Sequence, residues 1–504
     1  MSEQVLEKLK AHIQTIQDFG AAQALMGWDM ETFMPPKASE ARARQLSTLA
    51  AYTHDMQTAP EYGEMIETLS TPEAMSSLSP DDQCLLREIK RDYDRDRKIP
   101  TSLVQELSEA TGKAHTLWVE ARKNADFSRF APILKDIVRL NQQMAEALGY
   151  TGSPYNALLD IYEPDLTTEA LDPIFEQIKT PLVELVNVLK DVPVDDAFLH
   201  SQEYDPDKQL EFGKKVLADM GFDFDAGRQD LAPHPFCSGT SRNDVRLTTR
   251  VFANDPASAL FSSMHECGHG LYEQGIDQKW DGTPIGGGTS LGIHESQSRL
   301  WENLIGRSHA FWEHYYPQYQ AVFPQQLGNI SLEQFHLAIN RVKPSFIRVE
   351  ADEVTYNLHI LLRYEIERDL IEGKLGVDEI PASWNAKMQH YFGIVPPNDA
   401  QGCLQDIHWS HGTFGYFPTY TLGNIYAAQF FDAAKKAMPN LEAQVARGEL
   451  KPLREWLREQ IHQYGKSLKP NELVQRVTGG PLNANNMLNY MKNKFESLHG
   501  VATH

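Results

Sequence analysis

The chain has 504 residues, 41% hydrophobic and 23% charged, enough apolar material for a large buried core. Its formal net charge of -22 argues against a nucleic-acid surface and against attraction to anionic lipid. No apolar run approaches the roughly 20 residues that a bilayer span needs.

The N-terminus, "MSEQVLEKLKAHIQTIQDFG", mixes charge with apolar residues at helical spacing and has no apolar signal region, so no secretory leader is expected. Helical periodicity continues through residues 3–28, 80–99, 101–124, 127–150 and 332–373 and through most of the last eighty residues. Breakers fall between these segments: "MPPKAS" at 34–39, "TGSPYN" at 151–156, "VPPND" at 395–399 and "LKPNE" at 468–472. Residues 237–255 differ. Val245, Leu247, Thr249 and Val251 alternate with polar residues, which predicts one or two short strands. The four cysteines (Cys84, Cys237, Cys267, Cys403) lack paired spacing, which suits reduced thiols in a cytoplasm. With no repeat, linker or low-complexity stretch, residues 1–504 read as one large, mainly α domain with a small β-sheet beside the segment that follows it.

That segment contains H-E-x-x-H as His265, Glu266, Cys267, Gly268 and His269. The pattern arises by chance in roughly one chain in twenty of this composition, so it needs support. The local signals supply some. Asn254 or Asp255 can cap a helix, and Pro256 fits its first turn. Leu260, Met264, Cys267 and Leu271 share one face, and the two histidines lie roughly opposite, one turn apart, as two ligands of one small cation require. Glu266 projects about a quarter turn away, placed to act as general base on a water held by the ion. Cys267, on the apolar side, reads as a packing residue.

A catalytic zinc needs a third protein ligand. Glu273 lies about 12 Å along the helix from His265, too far to share an ion. Tyr272 and Gly275 occupy the places where a third histidine would follow the motif. A glycine-rich connection, Gly286 to Gly288, leads instead to a second helix bearing His294 and Glu295 near its start, with Leu300, Leu304, Phe311 and Tyr315 as its buried stripe. Adjacent helical residues point about 100° apart, so one of the pair binds. Glu295 is preferred over His294, because two histidines and a glutamate recur in hydrolytic zinc sites.

Further motifs accompany "HECGH" and "HESQ": "HPF" from His234, "DVRLT" from Asp244, "IRVEAD" from Ile347 and "GCLQDIHW" from Gly402, with "WDMETFMPP" early in the chain. In this order the chain resembles the carboxypeptidase Taq family of zinc metallocarboxypeptidases over nearly its whole length. The resemblance implies a helical fold with a deep active-site groove, of the neurolysin and angiotensin-converting-enzyme type, and a homodimer. It implies removal of C-terminal residues from peptides that carry a free C-terminus, with broad specificity and a halt at proline. His265, His269 and Glu295 would hold Zn2+, with Co2+ as a substitute, and Glu266 would be the base.

The other motif residues carry two readings each. His234 either ends a strand or lines the groove. Arg246 is a surface charge or a substrate contact. Arg348 and Asp352 stand i, i+4 on the expected helix and either pair with each other or bind the C-terminal carboxylate, the role preferred for Arg348 because a guanidinium grips both oxygens. His408 and Tyr420 match the spacing of an oxyanion-stabilising pair, with Tyr416 as the alternative. Two other functions compete: an oligopeptidase or dipeptidyl carboxypeptidase with the same zinc chemistry, and a peptide-binding scaffold without chemistry.

Overall fold

The computed structural model describes residues 2–502 and is helical over most of its length, with one apolar core running from Leu6 to Phe495. Among these residues no helix is long and apolar enough to cross a membrane. The expected helices form at Ser2–Glu31, Pro80–Lys98, Thr101–Asn124 and Phe127–Leu148. Two helices are buried on nearly all sides, Thr355–Ile371 and Pro418–Ala437, and form the centre of the molecule.

The expected helix over 332–373 is in fact two. Leu332–Ile339 ends, an irregular stretch follows with a 3-10 turn at Arg348–Glu350, and Thr355–Ile371 begins anew. Pro344 sits in the gap; it has no N–H to donate and forces the residue before it out of helical geometry. Asp352 starts the new helix by accepting the N–H groups of Val354 and Thr355, each at 3.0 Å.

The sheet has three strands, one more than expected: β1 (Gly227–Leu231), β2 (Cys237–Ser241) and β3 (Asp244–Thr249), in the order β1-β3-β2. β1 runs parallel to β3 and β2 antiparallel to it; Val251 lies beyond the last strand. Val245 and Leu247 are buried against the helix Pro256–Gly275, which carries HECGH. The N-terminal helix covers the other face, with Trp28 beneath Arg246.

The HECGH helix starts as anticipated. Asp255 caps it by accepting Ser258 N–H at 3.2 Å, and Pro256 occupies the first turn. Leu260, Met264, Cys267 and Leu271 are all buried. All four cysteines are free thiols. The second helix is shorter than anticipated, Leu291–Arg299, capped by Ser290. It passes into a π-helical turn at Leu300–Ile305, and the chain resumes as a separate helix at His309–Val322. The stripe Leu300, Leu304, Phe311 and Tyr315 is buried but shared between these two pieces.

Glycines set how closely these helices approach. A Cβ on Gly268 would sit 2.5 Å from the carbonyl oxygen of Gln297 and 2.6 Å from Ser298 Cα. One on Gly423 would sit 2.6 Å from Glu295 Cβ. The HESQ helix is therefore pinned between the HECGH helix and Pro418–Ala437 by two side-chain-free crossings.

Candidate metal centre and its surroundings

His265, His269 and Glu295 come together. Glu295 Oε2 lies 3.6 Å from His265 Nε2 and 3.4 Å from His269 Nε2, and the donor atoms of the three residues all fall within 4.8 Å of one another. A tetrahedral ion with bonds of about 2.0–2.2 Å holds its donors about 3.3–3.6 Å apart, so both Glu295–histidine spacings suit such an ion. Cys267 faces the core, and Glu273 is outside the cluster, as its place on the helix required.

Each donor is held from behind. His265 Nδ1 lies 2.8 Å from Glu302 Oε2; the carboxylate can only accept, so the ring donates there and leaves Nε2 as the atom that faces Glu295. Glu295 Oε1 accepts from Arg299 Nε at 2.7 Å, and Arg299 Nη1 also reaches Glu302 at 3.3 Å. His269 Nδ1 faces His294 Nδ1 at 2.6 Å, and His294 Nε2 faces Glu273 Oε1 at 2.6 Å. His294 thus uses both ring nitrogens away from the cluster and is not a third ligand. Arg299 and Glu302, four and seven residues after Glu295, were not singled out from the sequence; their helical spacing places them on one face and was the available signal.

Charge shapes the centre. Burial disfavours a charged His265, but Glu295 and Glu302 outweigh it and raise its pKa to about 9. Burial pulls His269 down to about 4. Burial opposes ionisation of Glu302 too, yet Arg299 and His265 bring it to about 2. Glu266 is 6% exposed, and burial raises it to about 7, against the pull of His265. A buried carboxyl beside this donor set is placed for proton transfer.

A second group of motif residues gathers around Asp406. Arg348 sits in the 3-10 turn and pairs with Asp406, not with Asp352 as its spacing suggested. Its Nε and Nη2 donate to Asp406 Oδ1 at 3.0 and 2.8 Å, and its Nη1 to Tyr356 Oη at 3.1 Å. Gln405 Oε1 accepts the Arg348 N–H at 2.8 Å, and Arg363 shares Asp406 at 2.6 Å. Asp406 lies within GCLQDIHW; nothing local revealed its partner 58 residues earlier. Tyr356 links the two groups, since Arg299 lies 4.2 Å over its ring.

His408 Nε2 lies 3.2 Å from Tyr420 Oη, and the Tyr416 ring packs against both, 5.4 Å from His408 and 5.3 Å from Tyr420. Burial lowers His408 to about 3, so its ring is neutral at working pH. Burial raises both tyrosines, and the Glu295 charge adds to this, so both remain O–H donors. Arg246 lies apart, on β3, where Asp244 takes its Nε at 2.8 Å and Nη2 at 3.1 Å and Trp28 lies 4.3 Å beneath it. His234 is exposed in the β1–β2 loop, where its carbonyl accepts from Thr248 at 3.4 Å. It is not among the groups bonded to the cluster.

Residues 8–495 match the family model described as carboxypeptidase Taq (M32) metallopeptidase. The chain is 42% identical over 487 residues to thermostable carboxypeptidase 1 of Thermus thermophilus, covering 95% of each. It is 41% identical over 490 residues to carboxypeptidase 1 of Bacillus subtilis, covering 97% of each. The crystal structure of an M32 carboxypeptidase from Deinococcus radiodurans R1 superposes with a TM-score of 0.95 at 41% identity, covering 99% of this chain and all of that one.

Proposed function

The chain belongs to the carboxypeptidase Taq (M32) family and is a metallocarboxypeptidase; from that premise we propose that it is a zinc enzyme whose ligands are His265, His269 and Glu295 and whose general base is Glu266. The observation that carries this reading is the donor spacing of 3.4 and 3.6 Å around Glu295 Oε2, which suits a tetrahedral ion. Cobalt, with similar ligand preferences, is the expected substitute.

Zinc bound there would polarise the scissile carbonyl and bring the pKa of its water to about 7. Glu266 takes the proton from the attacking water and returns it to the leaving amine; its buried carboxyl is matched to both tasks. Tyr420, with neutral His408 at 3.2 Å orienting it, donates to the oxygen on which charge develops, and Tyr416 is the second candidate for that contact. Arg348 receives the C-terminal carboxylate. Of its five side-chain N–H groups three are used, by Asp406 and Tyr356, which leaves one on each terminal nitrogen for a two-oxygen ligand. Arg246 and His234 are assigned to the walls of the peptide groove. From its family resemblance the enzyme is read as a homodimer acting on peptides, and from its free thiols as a cytoplasmic protein, built as one unit.

Metal analysis of dialysed protein tests the ligand set. Glu295→Ala should hold well below one zinc per chain, whereas Glu266→Gln should keep its zinc and lose at least about a hundredfold in turnover. Equal zinc in wild type and Glu295→Ala would remove Glu295 from the site.

A further inference from the structure

His265 has its own carboxylate partner, Glu302, but His269 does not. It meets a second imidazole. His269 Nδ1 and His294 Nδ1 are 2.6 Å apart, and His294 Nε2 is 2.6 Å from Glu273 Oε1. Hydrogen positions along this chain follow from its last member. A carboxylate only accepts, so His294 Nε2 carries the hydrogen. A neutral imidazole has one N–H, so His294 Nδ1 presents a lone pair. His269 Nδ1 must then be the donor, and the one remaining lone pair of His269 is on Nε2, the atom that faces Glu295 at 3.4 Å.

We propose that Glu273 and His294 are positioning residues for the metal, fixing the tautomer and ring plane of His269 through a carboxylate–imidazole–imidazole relay. The proposal rests on the ligand set above and adds to it. Ordinarily the outer partner of a ligating histidine is one carboxylate or carbonyl. Here the carboxylate stands one imidazole further away, on the next turn of the ligand's own helix. The intervening ring is caged for this purpose. A Cβ on Gly288 would lie 2.6 Å from His294 Cδ2, and Tyr272 lies 5.0 Å from the ring on another side. This gives the glycine-rich connection a reason: any larger residue at 288 would push His294 out of line with His269.

The test is zinc affinity of the full-length protein, by competition with a chromophoric chelator, for Glu273→Ala, His294→Ala, both together, Glu273→Gln and Glu295→Ala. Loss of an outer partner typically weakens metal binding about 10–100-fold, and each alanine variant should fall in that range while still reaching one zinc per chain at saturation. A relay makes the pair non-additive, so the double variant should bind no more weakly than His294→Ala alone. Glu273→Gln, which keeps an acceptor oxygen, should recover most of the loss. Three results would overturn the relay: alanine variants within twofold of wild type, single losses that multiply, or equal losses in Gln and Ala accompanied by a lower melting point of the metal-free protein. If Glu295→Ala also bound zinc as tightly as wild type, the ligand set itself would fail and the relay with it.

Discussion

Placing one methyl group on Gly423 should weaken the enzyme's hold on its metal. An ideal Cβ there lies 2.6 Å from Glu295 Cβ and 3.1 Å from the Glu295 carbonyl carbon. Carbon atoms pack comfortably at about 3.5–4.0 Å, so in Gly423→Ala either Glu295 or the whole HESQ helix must retreat by roughly 1 Å. Metal–ligand distances tolerate only about 0.2 Å. The stability cost of such overpacking is about 1–3 kcal/mol, which a large helical protein can survive. Zinc affinity should fall by at least about tenfold, comparable with losing an outer partner, while the metal-free protein still unfolds cooperatively at a lower temperature. Gly270→Ala is the control, because its new methyl would meet the ends of the Leu247 and Phe222 side chains, at 2.9 Å each, which can yield. It should lower the melting temperature and leave zinc affinity alone. If Gly423→Ala bound zinc as tightly as wild type, the close crossing would not be what holds Glu295 in place.

Tyr420→Phe should lower kcat by about 10²–10³ with zinc retained, as expected for one oxyanion donor; a negligible effect in stopped assays would transfer the role to Tyr416. Arg348→Ala and amidation of a peptide's C-terminus should give similar, non-additive losses in kcat/KM, and equal loss on acid and amide substrates would make Arg348 structural. Glu367 is fully buried, and burial raises it to about 7, although Tyr155 and Trp409 donate to it at 2.7 and 2.8 Å. The folded protein therefore keeps a proton that the unfolded chain has already released, so this group's contribution to stability falls as pH rises from about 4.5 to about 7 and is flat above. Glu367→Gln should flatten the melting-temperature curve in that window, and parallel curves for the two proteins would refute the assignment.

The metal helix could be read from the sequence because its signals are local. Asp255, Pro256, the stripe from Leu260 to Leu271 and the two histidines all act within five turns of one helix. Glu295 required only a chemical preference and a second helix. What the sequence hid depends on distant partners. β1, "GRQDL", buries only Gln229 and exists because β3 lies beside it, so it has no alternation to notice. Arg348 is four residues from one carboxylate and pairs with another 58 residues on, because a 3-10 turn and irregular chain replace the α-helix that would have made the near pairing. His294 looked like a rival to Glu295. Its role emerges only when Glu273, on the other helix, is seen to occupy its far nitrogen. The π-helical turn that follows Arg299 is a matter of backbone bonding, with Gly306 N–H reaching Trp301 C=O at 2.9 Å, and side-chain periodicity does not report it.

The central claim is that one zinc, held by His265, His269 and Glu295 and served by Glu266, removes residues singly from a free C-terminus. Mass spectrometry of an unblocked peptide during incubation with the enzyme tests it most directly. The expected record is a ladder shortened one residue at a time from the C-terminal end, abolished by a chelator, restored by zinc and absent for the amidated peptide. Internal fragments, steps of two residues, or a ladder that persists in chelator would contradict it.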